Sequence, residues 1–456
     1  MSQRGARLRL LRTRRPKAPV PAFPLASAGA RSRAPTRLQA SPRLRLTARA
    51  SSRPVAGVAA APPAPAPAPA GDVAPGQLYS GLEGRALRNL APSEYPSMQE
   101  VLRAIPKHCF EKNTPLSLFY AALSTAMVLG CAAAAAAFIP LQAAWWPAWA
   151  AYAVVNGTIA TGCWVVAHEC GHGAFSDNKL IQDAVGYVLH SALLVPYFSW
   201  QRSHAVHHAR TNHIEEGETH VPMRADKPDG AFMYRLKEAL GAGPFAVVNL
   251  FAVLAFGWPV YLLTGASGGP VRGATNHFWP WAGEQGRHAL FPGKWRGKVL
   301  FSDIGVVATL AGLAAWAQAA GSVWPVLALY AGPYMFVNFW LVLYTWLQHT
   351  DVDVPHFGGD DWSQVKGALM TIDRPYGAVL DFLHHRIGST HVAHHVNHTI
   401  PHYHAKEATE ALKAAFPQFY LYDPTPIAAA TWRVGKSCTA VKQRPTGEWV
   451  FSPTRE

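Results

Sequence analysis

Long apolar runs separated by polar segments dominate the chain after its first hundred residues. Residues 117–140 (SLFYAALSTAMVLGCAAAAAAFIP) and 143–167 (AAWWPAWAAYAVVNGTIATGCWVVA) are each long enough to cross a bilayer. Only two residues separate them, so a hairpin is predicted. Three more apolar runs cover 245–264, 304–320 and 323–347. The stretch 181–200 (IQDAVGYVLHSALLVPYFSW) is interrupted by polar positions and predicts a helix lying in the membrane interface.

Polar residues decide which runs cross. Histidine clusters near 204–213 and 391–398 both follow the first hairpin. If they serve one metal site they share one side of the membrane, so an even number of crossings separates them. The loop 265–302 carries Arg272, Arg287, Lys294, Arg296 and Lys298 against one acid, Glu284, and basic loops stay on the cytoplasmic side or its equivalent. The runs 304–320 and 323–347 therefore pair as a second hairpin, and 245–264 becomes interfacial or re-entrant. The predicted fold is an all-α integral membrane protein with about four transmembrane helices in two hairpins, interfacial helices and a polar cap on one face. Its expected divisions are 1–75 as a targeting segment and linker, 76–435 as the membrane domain and 436–456 as a C-terminal tail.

Composition supports the membrane reading: 50% of residues are hydrophobic and 16 are Trp, a residue suited to the headgroup level. The net charge of +14 belongs to the N-terminus. Residues 1–53 hold thirteen Arg, one Lys and no acid, and the remaining 27 basic groups balance the 27 acids. Nucleic-acid binding by the folded body is thus not expected. An Arg-, Ser- and Ala-rich, acid-free start fits a mitochondrial or chloroplast transit peptide. The following APPAPAPAPAG (61–71) reads as an extended linker. The five Cys form no C-x-x-C pair, which argues against a cysteine zinc site or disulfide framework.

The candidate chemistry lies in histidines. His168 and His172 are spaced i, i+4; His204, His207 and His208 are spaced i, i+3, i+4; His391, His394 and His395 repeat that pattern. Each spacing gathers a set on one helical face. At the overall histidine frequency, H-x-x-H-H arises by chance roughly 0.04 times in such a chain, yet it occurs twice. Neutral imidazole ligates Zn, Cu, Fe and Ni. HECGH also matches the zinc-protease motif, with Glu169 as base, but that reading leaves six clustered histidines unused. A metal transporter would hold its ligands near the bilayer midplane, whereas these lie beyond the span ends. Two redox-active ions fit eight imidazoles better.

The segments TGCWVVAHECGHGAFSD, HSALLVPYFSW, HAVHH, YTWLQHTDVDVPH, HVAHH and IPHYHAKEATEALK resemble the membrane-bound fatty acyl desaturases with three histidine boxes, particularly plant, algal and fungal oleate Δ12 and ω-3 enzymes. The resemblance spans residues from about 100 to 435. It implies a di-iron centre in the cap, ligated by His168, His172, His204, His207, His208, His391, His394 and His395, with His349 as a further ligand. Glu169, His213 and His398 become candidates for hydrogen-bonding those imidazoles, as do Asp353 and Asp381. It further implies insertion of a cis double bond into an acyl lipid using O2 and two electrons from outside the chain. The donor is ferredoxin in a plastid or cytochrome b5 in the endoplasmic reticulum; the N-terminus favours a chloroplast membrane and the boxes the reticulum. Regiochemistry leans to Δ12, converting oleate to linoleate, with ω-3, converting linoleate to linolenate, as the alternative, and some relatives hydroxylate instead. Trp164, Phe198, Trp200 and Trp346 are candidates to line the acyl channel, with core packing or anchoring at the membrane interface as the alternative for each.

Overall fold

The computed structural model describes residues 90–452, so the expected transit peptide and linker lie outside the described residues. Almost all of the body's regular secondary structure is helical. Its helices are α1 (Met98–Ala104), α2 (Thr114–Phe138), α3 (Trp146–His172), α4 (Lys179–Ala192), α5 (Tyr197–Ala209), α6 (Pro228–Leu240), α7 (Ala242–Thr264) and α8 (Trp295–Ala319). Then follow α9 (Trp324–His349), which contains a π-helical turn at Leu327–Ala331, α10 (Gln364–Leu369), α11 (Ala378–Leu383), α12 (His391–Val396), α13 (His402–Ala415) and α14 (Ile427–Ser437). A two-stranded antiparallel ribbon, β1 (Val441–Gln443) and β2 (Trp449–Phe451), follows.

Local signals set the helix ends. Asn113 caps α2 by accepting from the Leu116 N–H at 3.0 Å, with Pro115 in the first turn. Gly173 ends α3 at φ +80°, a left-handed conformation that glycine adopts without steric cost. Asn178 caps α4, whose exposed Leu180 and Val188 mark an outward apolar stripe, as an interfacial helix requires. Helix α3 is the central element and the most deeply buried of the long helices, with an unbroken buried run from Ala160 to Cys170. It packs along α9 through small residues, Gly157 beneath Phe336 and Ala153 against Gly332, the close backbone approach that lipid-embedded helices use.

Five described helices are long and apolar enough to cross a membrane: α2, α3, α7, α8 and α9. Helix α7 differs from the rest in what holds its ends. In its third turn, the Asn249 side chain donates to the Gly435 carbonyl of α14 at 3.0 Å. Near its finish, the Tyr261 hydroxyl donates to Glu218 at 3.0 Å. Each anchor connects onward to the α9 terminus. Arg433 of α14 bonds Asp351, two residues past His349, and the Glu218 carbonyl accepts from His207, whose ring lies 3.2 Å from His349. The predicted pairs α2–α3 and α8–α9 are consecutive helices joined by short connections, and 245–264 forms α7, which is itself long and apolar enough to cross a membrane.

The cap has its own core, where Val101, Ile105 and Cys109 meet Leu369, Val392, Ala408 and Leu412. Residues 436–452 are not a tail. Cys438, Val441 and Trp449 are buried, and the Tyr234 hydroxyl lies within hydrogen-bond reach of both the Ala440 and Ser452 carbonyls. Strands of three residues are too short to carry a period in the sequence, which is why this stretch reads as a tail.

A Cβ at Gly157 would overlap Phe336 and the Pro333 carbonyl. Gly157→Val is expected to destabilise the protein by about 1–3 kcal/mol through overpacking, read as a lowered melting temperature of the detergent-solubilised chain. An unchanged melting temperature would mean that α3 and α9 are not packed in this register.

Candidate metal centre

Three helices deliver histidines at their C-terminal ends. His168 and His172 occupy the last turns of α3, His204, His207 and His208 those of α5, and His349 closes α9. Helix C-termini carry partial negative charge, so three of them converging on one point favour a cation there. The short α12 brings His391, His394 and His395 from the opposite side. Asp373 holds the start of α12 by accepting from the Val392 N–H at 2.9 Å, and it also receives the Tyr420 hydroxyl.

The nine rings form two adjoining sets. In the first, His168 Nε2 lies 3.2 Å from His172 Nε2 and 3.1 Å from His204 Nε2, and His204 Nε2 lies 3.3 Å from His208 Nε2. His394 completes it, with one nitrogen each of His168, His172, His204 and His394 within 4.8 Å of one another. In the second, His349 Nε2 lies 3.2 Å from His207 Nε2 and 3.0 Å from His391 Nε2, with His395 in the same group. Two nitrogens bound to one ion at about 2.0–2.1 Å, with angles between square and tetrahedral, are about 2.9–3.4 Å apart. The observed spacings fall in that range. The sets touch where His208 and His395 stack at 4.1 Å between centroids.

The protonation pattern suits ligation. Burial, reinforced by neighbouring imidazoles, holds His204, His208, His391, His394 and His395 well below the ordinary histidine range, and burial lowers His207 to about 4. These rings are therefore neutral at pH 7 and carry a free lone pair. His207 Nδ1 donates to the Glu218 carbonyl at 2.7 Å, leaving Nε2 facing the centre. The Thr211 hydroxyl gives its one proton to the His207 carbonyl at 2.7 Å. It must then accept from His395 Nδ1, 3.0 Å away, so His395 Nε2 is the unprotonated nitrogen. That nitrogen and His394 Nε2 are buried without a hydrogen-bond partner. Both sets can hold metal ions.

The predicted supporting residues fare differently. Glu169 does not reach a box imidazole. Both its oxygens are taken by His402, one by the backbone N–H and one by ring Nδ1, each at 2.6 Å. A carboxylate so engaged is not a protease base either, which removes that reading. His213 Nδ1 accepts the Glu215 and Glu216 N–H groups and caps a turn instead of supporting the centre. Asp381 receives Ser389 and Arg386, not a histidine. Asp353 lies in the loop four residues after His349. His398 borders the first set, with its ring 4.8 Å from His172. Sequence reasoning missed Thr211, Glu218 and His402, whose roles depend on contacts between distant segments. It also missed His220, which stacks on His349 at 5.6 Å.

A buried ion network fixes the α9 terminus. Arg374 donates to the Leu347 carbonyl at 2.9 Å, to Asp351 at 2.8 Å and to Asp423. Arg433 adds bonds to Asp351 at 2.6 Å and to Asp423 at 2.7 Å. A cavity of about 540 Å³ leads from the histidines between α7 and α9. His168, His204, His207, His349 and His391 form one end, and Trp164, Trp200, Tyr261, Val253, Val342 and Trp346 line it further. Three of the four predicted aromatics are there. Phe198 is not: it packs on Tyr187 and Phe301.

The family model described as fatty acid desaturase matches residues 143–425. The chain is 38% identical over 364 residues to a Δ12 fatty acid desaturase of Vernicia fordii, covering 79% of this chain and 92% of that one. It is 39% identical over 358 residues to the endoplasmic reticulum isozyme 2 of the ω-6 fatty acid desaturase of Glycine max, covering 77% and 89%. It is also 39% identical over 356 residues to an oleoyl-12-hydroxylase of Ricinus communis, covering 77% and 89%.

Removing one partner from the buried network leaves an uncompensated charge. Asp351→Asn is expected to cost about 3–5 kcal/mol and to lower metal content through loss of His349 placement. Denaturation together with elemental analysis of the purified variant checks this; wild-type values in both would detach the network from the centre.

Proposed function

The chain belongs to the fatty acid desaturase family, and from that premise we propose that it introduces a cis double bond at the Δ12 position of an acyl lipid, converting oleate to linoleate. The observation that carries this is the pairing of an all-imidazole centre with an apolar cavity that ends on it. His168, His172, His204, His208 and His394 would hold one iron ion, and His207, His349, His391 and His395 a second. The donor set, neutral nitrogen throughout, suits iron, and the reaction needs a metal with redox chemistry, which zinc lacks. Such a pair supplies, when bound, the O2-dependent oxidation that removes two hydrogens.

The protein's own part is placement. The cavity admits an extended acyl chain between α7 and α9, and Trp164 and Trp200 shield its inner end from water. Thr211 and the Glu218 carbonyl fix the tautomers of His395 and His207, so both present a lone pair inward. Which carbon meets the centre depends on cavity depth, not on the boxes. Electrons come from a separate carrier, cytochrome b5 in the endoplasmic reticulum or ferredoxin in a plastid.

A second outcome, hydroxylation at the same carbon, is favoured by one observation: the castor hydroxylase matches as well as the desaturases do. Expression of the full chain in a yeast that makes oleate but no linoleate separates the readings by gas chromatography and mass spectrometry. Δ9,12 dienes are expected. A 12-hydroxy acid would support hydroxylation, and trienes formed only from supplied linoleate would support ω-3 action. His395→Ala is expected to reduce product at least about 100-fold, beyond the 10–100-fold typical of outer-shell changes. Retained activity would overturn its assignment as a ligand.

The basic, acid-free start of the chain supports import into a plastid, whereas the soybean relative is named for the endoplasmic reticulum. Residues 1–75 fused to a fluorescent protein are expected to direct it to chloroplasts of a plant or algal cell. A reticular or cytosolic pattern would refute the transit-peptide reading and leave cytochrome b5 as the donor.

A further inference from the structure

Away from the central histidines, a second cluster of ligating groups joins two segments far apart in sequence. His108 and Cys109 lie in the short turn Lys107–Phe110 ahead of α2, and His404 and Glu407 lie in the first turns of α13. His108 Nε2 is 2.8 Å from Glu407 Oε2 and 3.8 Å from Cys109 Sγ, and the His108 and His404 rings are 5.6 Å apart between centroids. One donor atom from each of the four lies within 4.8 Å of all the others. We propose that these four side chains form a separate site for one zinc ion, which staples the segment preceding the membrane to α13.

The donor chemistry selects the metal. Zinc takes thiolate, imidazole and carboxylate together in tetrahedral sites. With bonds of about 2.3 Å to sulfur and 2.0–2.1 Å to nitrogen or oxygen, adjacent ligands stand about 3.3–3.6 Å apart. The His108–Cys109 spacing nearly meets that edge. His108 and Glu407 are half exposed, at 50% and 53%, so their side chains can rotate to close the remainder and leave a path for the ion to enter. Cys109 is fully buried at the edge of the cap core, where an ion would hold its sulfur as thiolate and release the proton to solvent.

The location gives the site a purpose. α13 begins with His402, the residue that occupies both oxygens of Glu169, and Glu169 is the chain neighbour of His168. A crosslink at His404 and Glu407 would therefore steady the helix that braces the first histidine pair. Four donors and no open position make the site structural, in contrast to the central histidine sets.

The test uses the full-length chain purified in detergent and dialysed against metal-free buffer. Elemental analysis is expected to find about one zinc per chain in addition to iron. Cobalt added in place of zinc is expected to show an intense near-ultraviolet thiolate-to-cobalt band, which an all-histidine site cannot produce. Cys109→Ser should abolish both signals while iron content stays at the wild-type level. Because Cys109 is in the core, the double variant His404→Gln/Glu407→Gln provides the same test from the surface side. Wild-type chain that neither retains nor takes up zinc on titration, or zinc and cobalt signals that survive in both variants, would overturn the proposal.

Discussion

Nine imidazoles face one another in a space shielded from water. Lone pairs aimed at lone pairs repel, and neutral rings cannot relieve this by sharing protons among them all. A cation between them turns the repulsion into attraction, and the ends of α3, α5 and α9 add their dipoles to the same effect. Much of the cap serves this arrangement. Thr211 and the Glu218 carbonyl orient rings of the second set, Asp373 seats α12, and the Arg374–Asp351–Asp423–Arg433 network locks the end of α9. Buried ion pairs add little net stability by themselves, but once formed they are costly to break, which makes them suited to holding a position.

The membrane supplies the other constraint. Ligands borne at the ends of α3 and α9 must emerge on one face, so the crossings between them must be even in number. α7 is hydrogen-bonded to the cap through Asn249 and Tyr261. It thereby becomes one wall of the cavity, with α9 as the other.

The two histidine sets are not equivalent. The first is built mainly from α3 and α5 and leans on His398; the second gathers His349 from α9, with His220 stacked beneath it. Glu169, next to His168 in the chain, supports neither set directly. It ties α3 to α13 through His402, so the first box is steadied from the side away from the cavity.

Apolar length and histidine spacing alone determined the five long helices and the three histidine sets, because each is a local pattern: apolar length for a bilayer, i, i+3, i+4 for a helical face. His349 stands alone and was legible only through likeness to a family. What the fold decided were pairings across long sequence distances: Glu169 with His402, Thr211 with His395, Arg374 with Asp351, and the exclusion of Phe198 from the cavity. A carboxylate beside a liganding histidine in the chain points away from it on the helix, about 100° around, and nothing local reveals what it meets there. The C-terminal ribbon escaped for a related reason: three-residue strands have no period to read, and only burial against Tyr234 and the cap gives them a place.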